Sequence, residues 1–183
     1  GEGTLAMTQS LTLQLSELPK AKVLGVVNFP SFYQAMDAAQ HIVKLGPTAV
    51  ELVDRTMIDL ARHNPSFKKT IESALIDAAG PTPEAILLVE FSGEAHAPLL
   101  ERVAALNELM SDLGLPNCVV SMPDAGLQKN LWEVRKAGLN IMMSLKGDGK
   151  PVSFIEDCAV PLEHLAEYTS ALTEVFSKYG SRG

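Results

Sequence analysis

The strongest constraint on this chain is a pattern that occurs twice, a strand followed by a helix and a second strand. The first unit covers 21–54, where the apolar run AKVLGVVNF precedes a helical stretch and the strand TAVELVD. The second unit covers 84–122, where EAILLVEFSG and CVVSM flank a helix that begins near Pro98. Two such units are typical of the β-α-β-β-α-β arrangement. The sequence therefore predicts a ferredoxin-like α+β domain with one antiparallel sheet.

Further elements surround this repeat. Between the two units, RTMIDLARHN and SFKKTIESALIDAAG predict two helices separated at Asn64-Pro65, with Ser66 capping the second helix and Gly80 ending it. Asp54 is placed to cap the first of them. The other predicted elements are a half-buried strand at 11–15, a helix over about 125–146, a strand over 152–158 and a helix from Pro161 to Tyr179.

Composition limits the classes of function. The chain has 183 residues, of which 46% are hydrophobic and 20% charged, as expected for one globular domain with a real core. The net charge of −7 and the lack of a basic patch argue against nucleic acid or an anionic membrane as a partner. The two cysteines, Cys118 and Cys158, and the four histidines show no metal-ligand spacing. We expect reduced thiols in a cytoplasmic protein, and no metal site made by this chain alone.

Arg135 is the most informative charged residue of the helix predicted over 125–146. It belongs neither to the wet face nor to the predicted core stripe, which consists of Leu127, Leu131, Val134, Gly138, Ile141, Met142 and Leu145. An arginine flanked by apolar surface can bind the carboxylate of a ligand through its planar fork of donors. Alternatively, its stem lies along the edge of the core and its charge pairs with a protein carboxylate such as Glu156 or Asp157.

Glu156 and Asp157 interrupt the apolar segment PVSFIEDCAVP. Adjacent side chains of a strand point to opposite faces, so both carboxylates cannot face the core; the alternative is that they mark the end of the strand. The segment VELVD has the same form, with Glu51 inside an apolar strand. Neither segment by itself specifies an acid–base pair, because nothing sets the carboxylates at a defined separation around a substrate.

Five stretches, in order, resemble one known family over nearly all of the chain. They are GEGTLAMTQSLTLQLSELP, AVELVD, LLVEFSGE, LWEVRKAG and FIEDCAVPLEHLAEYTSAL. They are similar to the substrate, or cap, domain of FAD-linked oxidases of the vanillyl-alcohol-oxidase type. The resemblance is to the branch that contains glycolate oxidase, D-lactate dehydrogenase and D-2-hydroxyglutarate dehydrogenase.

The resemblance implies the substrate side of an FAD-dependent enzyme that oxidises a 2-hydroxy acid. Arg135, in LWEVRKAG, matches the family arginine that can bind the substrate carboxylate, and the resemblance favours that interpretation. Glu156 and Asp157 are weaker substrate-side candidates near the domain junction. Gly1, Glu2, Gly3 and Thr4 match the segment that lies against FAD in the full-length protein. No catalytic residue is expected within this chain, so the chain alone should be inactive.

The resemblance also implies a division of the chain. Residues 1–19 match the tail of the FAD-binding domain and 20–183 match the cap domain, truncated before a histidine-containing motif. KPVSFIEDCAVP is most similar to large bacterial members fused to an iron–sulfur part, which implies iron–sulfur clusters elsewhere in the parent chain. The expected partners are the FAD-binding domain and a small 2-hydroxy acid. The alternative is a stand-alone ferredoxin-like module for ligand binding or regulation.

Overall fold

The computed structural model describes residues 3–143, 152, 155 and 158–181, without the side chains of 139 and 141. Within this part the strands are β1 (Ala21–Phe29), β2 (Ala49–Asp54), β3 (Ala85–Gly93) and β4 (Val119–Met122). The helices are α1 (Phe32–Ile42), α2 (Arg55–His63), α3 (Lys68–Glu72), α4 (His96–Asp112), α5 (Ala125–Lys136), α6 (Gly138–Met143) and α7 (Leu165–Lys178). The order of these elements confirms the two predicted strand–helix–strand units.

The four strands form one antiparallel sheet in the order β2-β3-β1-β4. This order confirms the predicted ferredoxin-like α+β fold. Strand β1 lies between β3 and β4 and is buried on both faces, which explains its continuous apolar run. Strand β2 is at one edge of the sheet and is mostly half-buried. An edge strand can present polar side chains to solvent, and β2 does so with Glu51.

Helices cover both faces of the sheet. Helices α1 and α4 pack on the first face, where Leu106 and Met110 join Val27 and Phe29 in one buried cluster. Helices α2, α3 and α5 pack on the other face, which we call the second face. Its buried cluster contains Val26, Leu88, Ile58, Ile71 and Leu131. The two apolar faces of the central strands therefore require a layer of helices on each side.

The inserted helices differ from the prediction after α2. Asp54 caps α2 as predicted, because its carboxylate accepts a hydrogen bond from the Met57 amide at 2.9 Å. Helix α3, however, is only five residues long and ends before the predicted stop at Gly80. Ser66 does not cap it, since Phe67 holds the cap position. The chain after α3 is tied to the sheet by the buried Asn28, whose side chain bonds to two backbone groups of residues 74–76.

The helix predicted over 125–146 is two helices in the structure. Helix α5 ends at Lys136, and α6 follows at Gly138–Met143. The predicted core stripe is confirmed at Leu131 and Val134, which are buried, but is wrong at Leu127, which is 43% exposed. The polar Gln128 is buried in its place. Residues 144–146, with Leu145 of the predicted stripe, lie outside the described residues.

Two predicted strands do not appear among the described residues. The segment 11–15 has no strand structure, and its three leucines are 72–87% exposed. A strand requires hydrogen bonds to a neighbour, and none of the four described strands pairs with this segment. The strand predicted over 152–158 lies mostly outside the described residues, as do Glu156 and Asp157.

The last helix is close to its predicted position. A 3₁₀ turn at Leu162–His164 follows Pro161 and leads into α7. Helix α7 packs against α1, where the Tyr33 hydroxyl donates to Glu167 at 3.3 Å. None of the described helices is long and apolar enough to cross a membrane.

Candidate functional site

Helix α5, which carries Arg135, is anchored at its first turn. Asp124 precedes the helix, and its carboxylate accepts a hydrogen bond from the Leu127 amide at 2.8 Å. The side-chain amide of Gln128 donates to the carbonyl oxygens of Met122 and Lys22, at 2.8 and 3.1 Å. These bonds satisfy a buried polar side chain and attach α5 to β4 and β1. The apolar pattern alone gives no reason to bury Gln128.

One turn later, Trp132 connects α5 to a buried carboxylate on β3. The Trp132 indole N–H donates to Glu90 Oε2 at 3.2 Å, and Lys22 Nζ lies 2.9 Å from Glu90 Oε1. The Glu90 side chain is 8% exposed, and a carboxylate so buried needs such partners. The sequence analysis does not identify Glu90. The signal for it in the sequence is a lone carboxylate within an apolar strand run, as at Glu51.

Arg135 lies one turn beyond Trp132 and contacts the edge strand. Its Nη2 is 3.2 Å from Glu51 Oε2. The two side chains are 46% and 43% exposed, so water reaches both. Among the described residues, Glu51 is the carboxylate that pairs with Arg135. The carboxylate found beside Arg135 is thus Glu51, while Glu156 and Asp157, the partners named from the sequence, lie outside the described residues.

The strand register explains why two carboxylates meet the same helix. In the pairing of β2 with β3, Ala49 is opposite Glu90 and Glu51 is opposite Leu88. Directly paired residues of neighbouring strands point to the same face, so Glu51 and Glu90 both belong to the second face. Each carboxylate contacts a different side chain of α5. The buried Glu90 accepts the hydrogen bond of the Trp132 indole, and the half-exposed Glu51 forms an ion pair with the Arg135 guanidinium.

Two clefts lie beside the contacts of Glu90 with Trp132 and of Glu51 with Arg135. The larger, of about 680 Å³, is lined by Lys22, Glu51, Glu90 and Trp132, among others. The smaller, of about 270 Å³, is lined by Arg135 together with Leu52, Val53, Asp54, Met57, Gly138 and Met142. We call this smaller one the arginine cleft. Glu51 borders the larger cleft and Arg135 the smaller, so their ion pair lies between the two.

The arginine cleft combines one cation with a mostly apolar lining. The Asp54 carboxylate in its wall accepts the Met57 amide hydrogen bond and is thereby occupied in capping α2. Gly138 leaves room for the end of the Met57 side chain, because a Cβ there would lie 3.2 Å from Met57 Cε. A guanidinium beside apolar side chains suits a small organic carboxylate, which needs charge at one end and apolar contact at the other.

The other predicted site residues are not brought to these clefts. Gly3 and Thr4 are exposed and line neither cleft, and Gly1 and Glu2 lie outside the described residues. A Cβ built on Gly3 would meet no atom within 4 Å, so this turn offers no enclosed cradle. Residues 3 and 4 therefore do not by themselves form a flavin site. Within the described residues, no three acidic, histidine or cysteine side chains are grouped as a metal site requires.

Known proteins resemble this chain over nearly its full length. Residues 18–183 match the model of a family described as FAD linked oxidases, C-terminal domain. The chain is 30% identical over 185 residues to a D-2-hydroxyglutarate dehydrogenase of Escherichia coli (strain K12), covering 98% of this chain and 18% of that protein. It is 31% identical over 172 residues to a mitochondrial D-lactate dehydrogenase [cytochrome] of Arabidopsis thaliana, covering 92% and 27%. The chain thus spans about a fifth to a quarter of the length of these curated relatives.

Proposed function

The chain belongs to the family of FAD linked oxidases, C-terminal domain, and from this premise we propose that it is the substrate-side domain of an enzyme that oxidises a 2-hydroxy acid. The proposed substrate is of the D-lactate, glycolate or D-2-hydroxyglutarate type. Two relatives named as D-2-hydroxyglutarate dehydrogenase and D-lactate dehydrogenase support this class. The family match favours this function over that of a stand-alone ferredoxin-like module.

We propose that Arg135 binds the carboxylate of the substrate. The observation that supports this proposal is that the Arg135 side chain is half exposed and lines a small, mostly apolar cleft. The fork of an arginine can donate two parallel hydrogen bonds to one carboxylate and thereby orient it. Contact of the rest of the substrate with Val53, Met57 and Met142 would exclude water from one side of it.

The same premise suggests a division of the chain at residue 19. We propose that residues 1–19 belong to the FAD-binding domain and that 20–183 are the substrate domain. The family match begins at residue 18, and the first strand of the sheet begins at Ala21. The exposed leucines of 11–15 would then be covered by the FAD-binding domain, which is the proposed partner within the full-length protein.

FAD is the cofactor that the family description names, and we propose that the full-length protein binds it. When bound, FAD supplies the acceptor for the two electrons removed from the substrate. Because residues 3 and 4 do not by themselves enclose a flavin, the role proposed for the described residues is limited to binding and orienting the substrate. The iron–sulfur part, contacts of Glu156 and Asp157, and the cytoplasmic location stay predictions.

The test is steady-state kinetics of the full-length protein with an Arg135→Lys substitution. Lysine keeps the charge but loses the planar fork, so we expect kcat/KM to fall about ten- to hundred-fold. Flavin content should not change, because the residue serves the substrate. Arg102→Lys is the matched control, since Arg102 donates to the Gly46 carbonyl and lines neither cleft. Unchanged kcat/KM toward every 2-hydroxy acid that the parent oxidises would contradict the role of Arg135.

A further inference from the structure

We infer that Glu51 is a positioning residue for Arg135, an inference that rests on the proposed function. Glu51 holds the guanidinium at one Nη atom and thereby leaves the rest of the fork directed to the carboxylate of a 2-hydroxy acid. The contact that carries this inference is the one between Glu51 Oε2 and Arg135 Nη2, at 3.2 Å.

The geometry separates the part of the guanidinium that Glu51 uses from the part that a substrate would use. An arginine has five N–H donors, and a carboxylate ligand needs two of them. The closest approach of Glu51 is to Nη2, and no hydrogen bond from Nε or Nη1 is formed within the described residues. Arg135 is also part of the wall of the arginine cleft, which Glu51 is not. One acid can therefore hold the side chain from the larger cleft while a ligand approaches from the smaller one.

The position of Glu51 is set by rigid structure on both sides. Its strand is hydrogen-bonded to β3 along the whole of β2, from Ala49 to Asp54. Helix α5 is fixed to the same face by Trp132, one turn before Arg135, through the buried Glu90. A long arginine side chain that projects from a fixed helix still has several rotatable bonds. A fixed acceptor on the neighbouring strand removes much of that freedom before substrate arrives.

The same pair is too exposed to be important mainly for stability. Ion pairs between half-exposed side chains contribute little to folding, because water screens them. The pair of Arg55 with Glu84 has a comparable exposure, 40% and 50%, and a contact of 2.9 Å, but it borders neither cleft. Glu84 therefore provides a matched control for Glu51. Both glutamates pair with an arginine, and only one of the arginines lines the proposed substrate cleft.

The experiment compares Glu51→Ala with Glu51→Gln in the full-length protein. Both variants lose the negative charge, so any effect of charge on the binding of an anion is common to them. Glutamine keeps an oxygen that can accept from Nη2, whereas alanine does not. We expect the KM of the alanine variant to be about ten-fold above that of the glutamine variant, with kcat within about two-fold. The corresponding ratio for Glu84→Ala and Glu84→Gln should be close to one.

A second arm tests whether Glu51 acts through Arg135. In an Arg135→Lys background the ten-fold ratio between the two variants should fall to about one, because the fork that Glu51 orients is absent. Thermal unfolding of each variant shows whether a change in KM merely follows a loss of stability. A ratio near one in the parent background overturns the inference. So does a ratio that persists in the Arg135→Lys background or follows the unfolding temperature.

The proposed function fails in a different way. A full-length protein that oxidises no 2-hydroxy acid would overturn the proposed function and this inference together. If Arg135→Lys lowers kcat/KM while the two Glu51 variants have equal KM, the role of Arg135 stands and the inference about Glu51 is wrong.

Discussion

Glu51 on the edge strand β2 and Arg135 on helix α5 meet at 3.2 Å, although 84 residues (135 − 51) separate them in sequence. Their contact depends on two independent features of the fold. The pairing of β2 with β3 puts Glu51 on the second face, and the buried hydrogen bond from Trp132 to Glu90 holds α5 over that face. Four residues thus determine where the proposed substrate-binding cation lies.

The bond between Trp132 and Glu90 gives a prediction about stability. Trp132→Phe keeps an aromatic ring but removes a hydrogen bond to a buried carboxylate, which should lower the free energy of unfolding by about 1.5–3 kcal/mol. Urea denaturation followed by circular dichroism measures it. Tyr33→Phe is the control, because it removes a donor to Glu167 at the surface and should leave the midpoint nearly unchanged. An equal decrease in the free energy of unfolding in the two variants would show that the hydrogen bond to Glu90 contributes no more than one at the surface.

Gly25 gives a prediction about packing on the first face. A Cβ at this position would lie 2.8 Å from Cδ2 of Leu106, a fully buried residue of α4. Gly25→Ala should therefore destabilise the domain by about 1–3 kcal/mol, because α4 or Leu106 must move within a packed core. In the control Gly93→Ala, the nearest atom is Leu99 Cδ2 at 3.4 Å, an ordinary contact. Thermal unfolding of both variants tests this, and an unaffected Gly25→Ala variant would contradict the close approach of α4.

The two cysteines should differ in reactivity. Burial raises the pKa of the Cys118 thiol to about 11, so the thiol is protonated at all pH values well below that and its thiolate fraction at pH 8 is about one in a thousand. Cys158 is exposed. At pH 8 we expect a thiol reagent to label one cysteine rapidly and the second only after unfolding. In Cys158→Ser, the native protein should then label very slowly. Rapid labelling of that variant would show that Cys118 is accessible.

The isolated chain should not retain flavin. Residues 3 and 4 form an exposed turn without a cradle, whereas ligand pockets usually enclose about 70–90% of a bound molecule. Residues 1–183 produced alone should be colourless, and the full-length protein, as the control, should show the visible absorbance of a flavin. Stoichiometric flavin in the isolated chain would place the FAD site within these residues and contradict the proposed domain division.

The repeated strand–helix–strand pattern could be derived from the sequence because it depends on local periodicity and capping. The apolar runs of β1 and β3 and the cap of α2 by Asp54, together with the repeated order of elements, were sufficient to predict one antiparallel ferredoxin-like sheet. The two errors have different causes. At Ser66 the competing structure is local, because the Asn64 side chain accepts from the Ser66 amide at 3.0 Å and the Asn64 carbonyl accepts from the Phe67 and Lys68 amides. At Leu127 a distant contact decides, because the neighbouring Gln128 is buried by its hydrogen bond to the Lys22 carbonyl.

Some features of the candidate site also follow from the local sequence, and others depend on tertiary contacts. The sequence determined that Arg135 would stand apart from the core stripe of its helix, since this follows from 100° per residue alone. Only the tertiary structure decided its partner. Glu51, Glu90 and Asp54 are all carboxylates within or beside apolar strands, and periodicity does not distinguish them. Their roles depend on strand register and on which helix crosses which face. These are long-range relationships, so Glu90 bonds Trp132, Asp54 caps α2, and Glu51 is the carboxylate that reaches the guanidinium.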